Sequence, residues 1–450
     1  MNADKENPIR VHLRSSAPRN HLLRVLGVGF GLAVIIGNTI GAGIFRAPGT
    51  IAEQLPAPGP FLLVWLAGGL YALLGAISLA ELGTMIPRSG GQYVFARYAL
   101  GEYAGFIVGW SDWISSCGST AAVSLLIGTF AGALIPALAR YPKHVAMAVA
   151  VIFAVLQWRG IVWGSNVQNL TSLLKALAFL ALIVAAFVMG GDGALTTSQS
   201  YSTSAITLAA VVVSLQAAIY TYDGWAGVIY FSEEVKEPGR NIPRALFGGV
   251  LTITAIYLLV NVALLYVLPV SRIAGKEFAV GEAATVMFGA HGDTVFRLLT
   301  IVSMLSGINA LHLMATRVVF AMSRDGLFSK GVAVVNEGGT PILALNLSLT
   351  VAVAFIFFGE KFETVITVLA FFFVVNYILS FVSLFILRWR EPDTPRPYRE
   401  WGYPITPAVA LLGSILFLAA AIRADTRNSV YALLLLAVSY PVFRLMKRSS

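Results

Sequence analysis

Residues 34 to 45 read VIIGNTIGAGIF, and this stretch decides how the chain folds. Its apolar residues suit the interior of a membrane, yet it also contains three glycines and the polar pair Asn38 and Thr39. Lipid cannot hydrogen-bond to the backbone, so irregular backbone is tolerated there only where it faces protein or a polar cavity. The stretch therefore predicts a transmembrane helix that is interrupted near its middle, beside such a cavity.

The composition of the whole chain indicates a membrane protein. Of its 450 residues, 57% are hydrophobic and only 12% are charged, whereas soluble domains carry about 25% charged residues. A membrane-spanning helix needs about 20 mostly apolar residues. The chain is therefore predicted to be an all-α membrane protein with 12 transmembrane helices. These spans are 25–54, 60–86, 96–137, 144–158, 162–190, 206–234, 243–269, 293–323, 342–358, 363–387, 405–421 and 429–446.

The basic residues indicate topology rather than nucleic-acid binding. The formal net charge is +9, but 21 of the 31 Lys and Arg residues fall in segments on the same predicted side as the N-terminus. Eight fall on the other side, and the remaining two are Arg46 and Lys175. The positive-inside rule therefore predicts that both termini are cytoplasmic. The single cysteine, Cys117, can form no disulfide within the chain.

A second interrupted helix is predicted where residues 218–228 read AIYTYDGWAGV. Its Gly224 lies 183 positions after Gly41, and each of the two breaks opens a block of five spans. Because five is odd, the second block enters the membrane from the opposite side, which predicts a 5+5 inverted repeat. The predicted units are a cytoplasmic tail (1–21), a first repeat with spans 1–5 (22–190), a second repeat with spans 6–10 (206–388), and the last two spans (405–446).

The two breaks predict a substrate site. An unwound segment exposes N–H groups and the positive end of a half-helix to a carboxylate, while free carbonyl oxygens accept hydrogen bonds from an ammonium. The expected ligand is therefore a zwitterion. Close helix packing through Gly37 and Gly41 is the alternative explanation for the first cluster. The substrate-binding residues predicted at the two breaks are Ile40, Gly41, Ala42, Gly43, Tyr220, Tyr222, Asp223, Gly224 and Trp225.

Charged residues inside the predicted spans are candidates for function. Lys175 lies about 13 residues from either end of the fifth span, too deep to snorkel to an interface. We expect it to tie the first break to the eighth span, whose polar face is formed by Ser303, Ser306 and Asn309. Asp223 has three possible roles: it caps a half-helix beginning at Gly224, contacts a cationic substrate, or carries a proton.

Two further acidic residues are given less central roles. Asp112, in the third span, is interpreted as an internal polar contact. Glu81 lies near the cytoplasmic end of the second span, and together with Arg88 it is predicted to form an inner gate or to fix a loop.

Motifs of other protein classes are missing from the sequence. Its glycine clusters do not follow the dinucleotide-binding pattern, there is no Walker motif, and the five histidines show no metal-binding spacing. We therefore expect no enzyme activity, no cofactor and no metal. A channel or a substrate-sensing receptor is the rival from another class, although a channel would need a continuous polar lining.

Four segments together resemble the amino acid–polyamine–organocation (APC) superfamily over the whole chain. They read VIIGNTIGAGIFRAPG, AELGTMIPRSGGQYVFARYALGEYAGFIVGW, AIYTYDGWAGVIYFSEEVKEPGRNIPRAL and RVVFAMSRDGLFSKG. Within the superfamily, the chain is most similar to the L-type amino acid transporter family and to its bacterial serine/threonine exchanger relatives. The resemblance implies alternating access between two inverted repeats, and substrate held at both breaks.

The resemblance also carries expectations for single residues. It implies that Lys175 replaces a sodium site, and that the carboxylate-binding motif falls on Gly41, Ala42 and Gly43. Asn38 in GNTIGAG also resembles an asparagine that lies near the substrate in the arginine/agmatine antiporters, so Asn38 is the tenth predicted substrate-binding residue. Ala42 departs from the family, which often has a serine there. The chain lacks the outer-loop cysteine that links animal members to a glycoprotein, so no disulfide-linked heavy-chain partner is expected.

The sequence thus predicts a sodium-independent amino acid transporter of a bacterial-type inner membrane. It is expected to exchange small or neutral L-amino acids, with membrane lipids as its surroundings and no nucleic-acid partner. A cationic amino acid or polyamine antiporter and a proton-coupled symporter remain as alternatives.

Overall fold

A computed structural model describes residues 22–190, 193, 206–358, 362–424 and 426–449. The predicted tail, residues 1–21, lies outside the described part. Helices dominate the described residues, and the only β-type pairing among them is a bridge between Leu26 and Val235. The α-helices are α1 Val28–Thr39, α2 Gly43–Gln54, α3 Pro58–Met85, α4 Gln92–Leu100, α5 Glu102–Leu134, α6 Pro142–Trp158, α7 Ile161–Met189, α8 Leu208–Tyr222, α9 Pro238–Val267, α10 Val270–Ile273, α11 Ala279–Phe288, α12 Gly292–Arg324, α13 Ile342–Phe358, α14 Phe362–Arg390, α15 Ile405–Ala424 and α16 Thr426–Ser449.

Many of these helices can cross a bilayer. Within the described residues, eight helical stretches are long and apolar enough to do so, and α1 with α2 makes a ninth if the pair, bent by 50°, is one span. Two more helices, α6 and α13, are apolar but shorter. Each of the 12 predicted spans overlaps a helix, but that all 12 cross the membrane stays a prediction.

The third predicted span is not one continuous helix. Residues 96–137 were expected to form a single span, but α4 ends at Leu100 and α5 begins at Glu102. The residue between them, Gly101, has φ +97°, a left-handed conformation that ends a helix and that glycine adopts without strain. The apolar residues on both sides of Gly101 hide this break from a hydropathy pattern.

The sixth span also differs from its expected form. No α-helix begins at Gly224; a turn follows α8 and leads into the 3₁₀ segment Gly227–Phe231. Gly224 has φ +106°, and a Cβ atom there would lie 2.8 Å from Nδ2 of Asn38. It would also lie 3.0 Å from backbone atoms of Asn38 and Thr39, so the positive φ and the close approach of the two breaks both favour glycine here.

Helix α1 lies at the centre of the bundle, where it packs against α7, α9 and α12, while α2 packs against α8. Around this centre, α3 packs against α8 and α9, and α5 packs against α6, α12, α13 and α14. The peripheral helices α15 and α16 leave large apolar side chains such as Leu412, Leu416, Leu433 and Leu434 at least half exposed. Such a surface suits lipid rather than water.

Candidate substrate site

The first break leaves backbone donors at the start of α2. Helix α1 ends at Thr39 and α2 begins at Gly43. The N–H groups of Gly41, Ala42 and Gly43 donate to no group in the described part of the chain. The first N–H groups of any helix lack partners within the helix, and the helix dipole adds positive potential at this end. The start of α2 is therefore suited to an anion such as a carboxylate.

The carbonyl oxygens at the end of α1 are, by contrast, occupied by side chains. The Lys175 ammonium on α7 donates to the carbonyl oxygens of Gly37 at 2.7 Å and Ile40 at 2.6 Å. The Ser303 hydroxyl on α12 also donates to Ile40, at 3.0 Å. A buried cation thus lies at the negative end of the α1 dipole, so Lys175 and Ser303 join α7 and α12 to the first break.

Ser306 and Asn309 lie farther along α12. They form a polar seam with Gln168 and Ser172 of α7 and Gln157 of α6. The Ser306 hydroxyl is 2.8 Å from that of Ser172 and accepts from Gln168 at 3.1 Å. The Asn309 amide donates to Gln168 and accepts from Gln157 at 3.0 Å. These two residues therefore join α12 to α6 and α7 and do not contact the break itself.

Tyr257 on α9 connects the two breaks. Its hydroxyl lies 2.9 Å from the carbonyl oxygen of Thr39 and 3.0 Å from that of Thr221, and its side chain is fully buried. A hydroxyl group can be shared between two such acceptors. Tyr257 is not predicted from the sequence, because one tyrosine in an apolar span carries no recognisable pattern.

Asp223 lies at the second break, directly after α8. Its carboxylate accepts a hydrogen bond from the Tyr377 hydroxyl at 2.8 Å. The carbonyl oxygens of Tyr222 and Asp223 accept no hydrogen bond from the described residues. The second break therefore offers acceptors and a carboxylate, while the first offers donors.

A cavity of about 160 Å³ lies between the two breaks. This volume is on the order of ten times the room that one water molecule needs. The predicted residues that line the cavity are Asn38, Gly41, Ala42, Gly43, Tyr220, Asp223 and Gly224. The structure thus brings seven of the ten predicted substrate-binding residues together around one space.

The other three predicted residues do not line the cavity. Ile40 is fully buried, and its carbonyl oxygen is taken by Lys175 and Ser303. The Tyr222 hydroxyl donates to the carbonyl oxygen of Trp65, and the Trp225 ring stacks on that of Tyr377 with 5.1 Å between ring centroids. Tyr222 and Trp225 thus pack behind the break.

One wall of the cavity was missed from the sequence. It comes from α5 and is formed by Asp112, Ser115, Ser116 and Ser119. Their spacing of three to four residues places them on one helix face, so a polar stripe in the third span was the signal that could have revealed them. The remaining lining residues are Thr39, Gln92, Val123, Thr221, Ala226, Gly227, Tyr230, Leu311, Met314, Phe373 and Tyr377.

Glu81 and Arg88 belong to separate ion-pair clusters. The Glu81 carboxylate is buried and pairs with Arg388 at 2.6 Å and Arg396 at 2.9 Å. Arg88 pairs with Asp325 at 2.7 Å. The two residues therefore do not pair with each other, and their role in an inner gate or in fixing a loop stays a prediction.

Comparisons with known proteins agree with this architecture. The profile of the amino acid permease family matches residues 31–442. The serine/threonine exchanger SteT of Bacillus subtilis is 30% identical, over 95% of this chain and 98% of its own. The b(0,+)-type amino acid transporter 1 of Mus musculus is 27% identical over 90% of this chain and 84% of its own. The large neutral amino acids transporter small subunit 2 of Homo sapiens is 28% identical over 84% and 72%.

These relatives are transporters, so the protein is an amino acid transporter rather than an enzyme. Its apolar helices make it an integral multi-pass membrane protein. The resemblance inferred from the sequence is confirmed: the chain belongs to the amino acid permease family of the APC superfamily.

Proposed function

We propose that the protein is a sodium-independent exchanger of amino acids that works by alternating access. This proposal rests mainly on one observation: hydrogen-bond donors line one side of the cavity, and a carboxylate lines the other. Unpartnered N–H groups of Gly41, Ala42 and Gly43 line it on one side, and the Asp223 carboxylate lines it on the other. The α-carboxylate of a substrate would bind the N–H groups, and its α-ammonium would bind Asp223 and the free carbonyl oxygens.

The surroundings of Lys175 support sodium independence. A sodium ion in this position would use oxygen ligands such as the carbonyls of Gly37 and Ile40 and the hydroxyl of Ser303. The Lys175 ammonium already donates to both carbonyls, and Ser303 donates to one of them. A second cation beside this buried ammonium would be repelled, so the fixed charge takes the role that a sodium ion would have.

Small or neutral L-amino acids are our first expectation for the side chain of the substrate. The limited cavity and the serine face of α5 support it, as does the similarity to a serine/threonine exchanger. A cationic amino acid or polyamine antiporter is the second candidate, because two carboxylates, Asp112 and Asp223, line the cavity. A proton-coupled symporter is the third.

We also propose a bacterial-type inner membrane with both termini in the cytoplasm, and transport without a disulfide-linked heavy chain. The distribution of Lys and Arg supports the orientation. The lone Cys117 is buried within α5, which supports the absence of a covalent partner.

A binding experiment with truncated ligands tests the recognition of the α-carboxylate. Purified protein in lipid nanodiscs would be titrated with alanine, alaninamide and ethylamine, without sodium. We expect alanine to bind, and both analogues that lack the carboxylate to bind at least about tenfold more weakly, since they make no charged hydrogen bond to the N–H groups. Equal affinity for alanine and alaninamide would contradict the assignment of the carboxylate to the first break.

A further inference from the structure

The two breaks approach each other closely without a direct hydrogen bond. A Cβ atom at Gly43 would lie only 2.9 Å from Oγ1 of Thr221, so little space separates the two segments there. Within the described part of the chain, however, no hydrogen bond joins residues 38–43 directly to residues 220–224. Van der Waals contact limits how closely the breaks approach, but it is not directional and does not fix their orientation.

A hydrogen bond to each break comes from Tyr257. Its hydroxyl lies 2.9 Å from the carbonyl oxygen of Thr39, the last residue of α1, and 3.0 Å from that of Thr221, near the end of α8. Carbonyl oxygens at the end of a helix have no partner within the helix. Among the described residues, Tyr257 is the side chain that hydrogen-bonds to both breaks. Its single proton is thus shared between two acceptors, one in each predicted repeat.

The Tyr257 side chain is itself held in place. It is fully buried, and its ring packs against those of Trp65 and Tyr222, with 5.7 and 4.9 Å between ring centroids. Aromatic pairs at these distances are favourable, and side chains in a packed core stay in one rotamer most of the time. Helix α9, which carries Tyr257, packs against both α1 and α3. The hydroxyl is therefore a fixed point relative to which both breaks are placed.

The position of this hydroxyl affects the spacing of the two ends of the site. The N–H donors proposed for the α-carboxylate begin at Gly41, two residues after Thr39. The proposed ammonium acceptor, Asp223, lies two residues after Thr221. A hydrogen bond that fixes Thr39 relative to Thr221 therefore also limits the distance between donors and acceptor. In an α-amino acid the carboxylate and the ammonium are attached to one carbon atom, whereas a β-amino acid separates them by one further methylene.

We infer that Tyr257 is a positioning residue that sets this distance, so that the transporter selects α-amino acids over β-amino acids. The inference rests on the proposed function, because it takes the two charged groups of the substrate to bind at the two breaks. Tyr257 does not line the cavity, so it acts through the backbone of the breaks and not through contact with the substrate. Preorganised groups discriminate between ligands of different spacing, because adapting to the wrong ligand costs free energy.

The test compares alanine with β-alanine, which differ in the position of the ammonium group. Both would be titrated by calorimetry against purified protein in lipid nanodiscs, without sodium. We expect the wild type to bind alanine at least about tenfold more tightly, since β-alanine cannot place both of its charged groups correctly. In Tyr257→Phe, which keeps the ring but removes the hydroxyl, this ratio should fall about three- to tenfold, the effect expected from one hydrogen bond.

Tyr71→Phe is the matched control. It also removes one hydroxyl that joins two helices, because the Tyr71 and Ser414 hydroxyls lie 2.7 Å apart between α3 and α15, and Tyr71 does not line the cavity. This variant should keep the wild-type ratio. If Tyr257→Phe does not fold, replacement of Tyr257 by 4-aminophenylalanine takes its place. The amino group has two N–H donors, one for each carbonyl oxygen, so the ratio should equal or exceed that of the wild type.

Each contrary outcome has a distinct meaning. If Tyr257→Phe weakens the binding of both ligands by the same factor, or leaves both unchanged, the hydroxyl does not set the spacing and the inference is overturned. A wild type that binds the two ligands equally, or a smaller ratio with 4-aminophenylalanine, would overturn it as well and leave the proposed function standing. A wild type that binds neither ligand, nor serine, would overturn the proposed function itself.

Discussion

Two glycines at the first break, Gly41 and Gly43, differ in what surrounds them. A Cβ atom at Gly43 would lie 2.9 Å from Oγ1 and 3.0 Å from Cα of Thr221, so a side chain there collides with α8. A Cβ atom at Gly41 would meet only the carbonyl oxygen of Thr39, at 3.9 Å. Gly43→Val therefore tests helix packing as much as substrate binding, and Gly41→Ala is the cleaner probe of the cavity.

We predict that Gly41→Ala folds normally but binds alanine about tenfold more weakly, because its methyl group projects beside the N–H groups that hold the carboxylate. Gly43→Val should lower the melting temperature as well as the affinity, since overpacking costs about 1–3 kcal/mol. Titration calorimetry and thermal unfolding of both variants separate the two effects. An unchanged affinity in Gly41→Ala would refute the placement of the carboxylate.

Lys175 is the second residue whose role can be isolated. Lys175→Ala removes the buried cation from the carbonyl oxygens of Gly37 and Ile40, although Ser303 still donates to Ile40. A buried carbonyl oxygen that loses its partner, as at Gly37, costs about 1–3 kcal/mol. We predict a loss of at least about tenfold in the initial exchange rate. Ser303→Ala is the matched control, because it removes one hydrogen bond to Ile40 while Lys175 remains, and its loss should be smaller.

Sodium provides a second measurement on the same variants. If the Lys175 ammonium stands in for a cation, sodium should raise the exchange rate of Lys175→Ala more than that of the wild type. Wild-type exchange rates in Lys175→Ala would contradict a coupling role for this side chain.

The sequence reveals those site residues whose type affects the conformation of the backbone. Gly41, Gly43 and Gly224 stand out because they cluster with other glycines and with polar residues inside an apolar span, which signals irregular backbone. Tyr222 and Trp225 are also predicted at the site because they flank Gly224. The direction of their side chains, however, depends on the conformation of the turn after α8, which residue spacing alone does not determine. Asp112 was interpreted as an internal contact and is in fact both a contact and part of the wall.

At the scale of elements, α1 depends on a close approach at Gly37. A Cβ atom there would lie 2.0 Å from Nε2 of Gln168, 2.5 Å from Oγ of Ser306 and 2.8 Å from Oγ of Ser172. Close helix packing, the alternative explanation for the first glycine cluster, therefore applies to Gly37. Gly41 has no such close neighbours. One cluster of glycines serves both packing and the cavity.

We predict that Gly37→Ala lowers the free energy of unfolding by about 1–3 kcal/mol, because the polar seam between α1, α7 and α12 must move apart. Gly29→Ala in the same helix is the control, since a Cβ atom there meets nothing within 4 Å. It should leave stability unchanged or raise it by up to about 1 kcal/mol. Equal melting temperatures for the two variants would show that the seam is not tightly packed.

The connection between α14 and α15 holds a buried acid outside the membrane-spanning helices. Burial first, and the nearby charge of Glu81 second, raise the pKa of Glu400 to about 7, although the Ser78 hydroxyl donates to it at 3.0 Å. The folded protein therefore keeps this proton at pH values where the unfolded chain has lost it. The free energy of unfolding consequently falls as the pH rises from about 4.5 to 7.

We predict that Glu400→Gln removes this part of the pH dependence. The wild-type melting temperature should fall between pH 5 and pH 8 by more than that of the variant, by a margin on the order of 1 °C. Glu337→Gln, at an exposed position, serves as the control and should follow the wild type. Identical slopes for wild type and Glu400→Gln would show that the carboxyl group is already ionised at pH 5.

The elements were largely predictable because hydrophobic length controls where helices can lie in a membrane. Helices α3, α7 and α9 begin and end within about five residues of their predicted spans. The sequence did not reveal where backbone geometry changes inside an apolar run, as at Gly101, or that a 3₁₀ segment follows Gly224. Both depend on contacts with other helices.

At the scale of the whole molecule, ion pairs gather at the end that carries the Leu26–Val235 bridge. Arg317 on α12 forms a fully buried ion pair with Glu234 through two hydrogen bonds, and Arg324 pairs with Glu233 at 2.6 Å. These pairs join the segment after the second break to α12. All four residues belong to the second predicted repeat, and we propose that the pairs separate when the cavity opens on the cytoplasmic side.

The measurement that tests the central claim most directly is counterflow in proteoliposomes. Vesicles would be preloaded in turn with each of the 20 amino acids, without sodium and with no pH gradient, and the uptake of the corresponding labelled amino acid would be followed. We predict that internal small or neutral amino acids accelerate uptake and that adding sodium leaves the rate unchanged. Uptake that requires sodium, or that no internal amino acid accelerates, would contradict sodium-independent exchange.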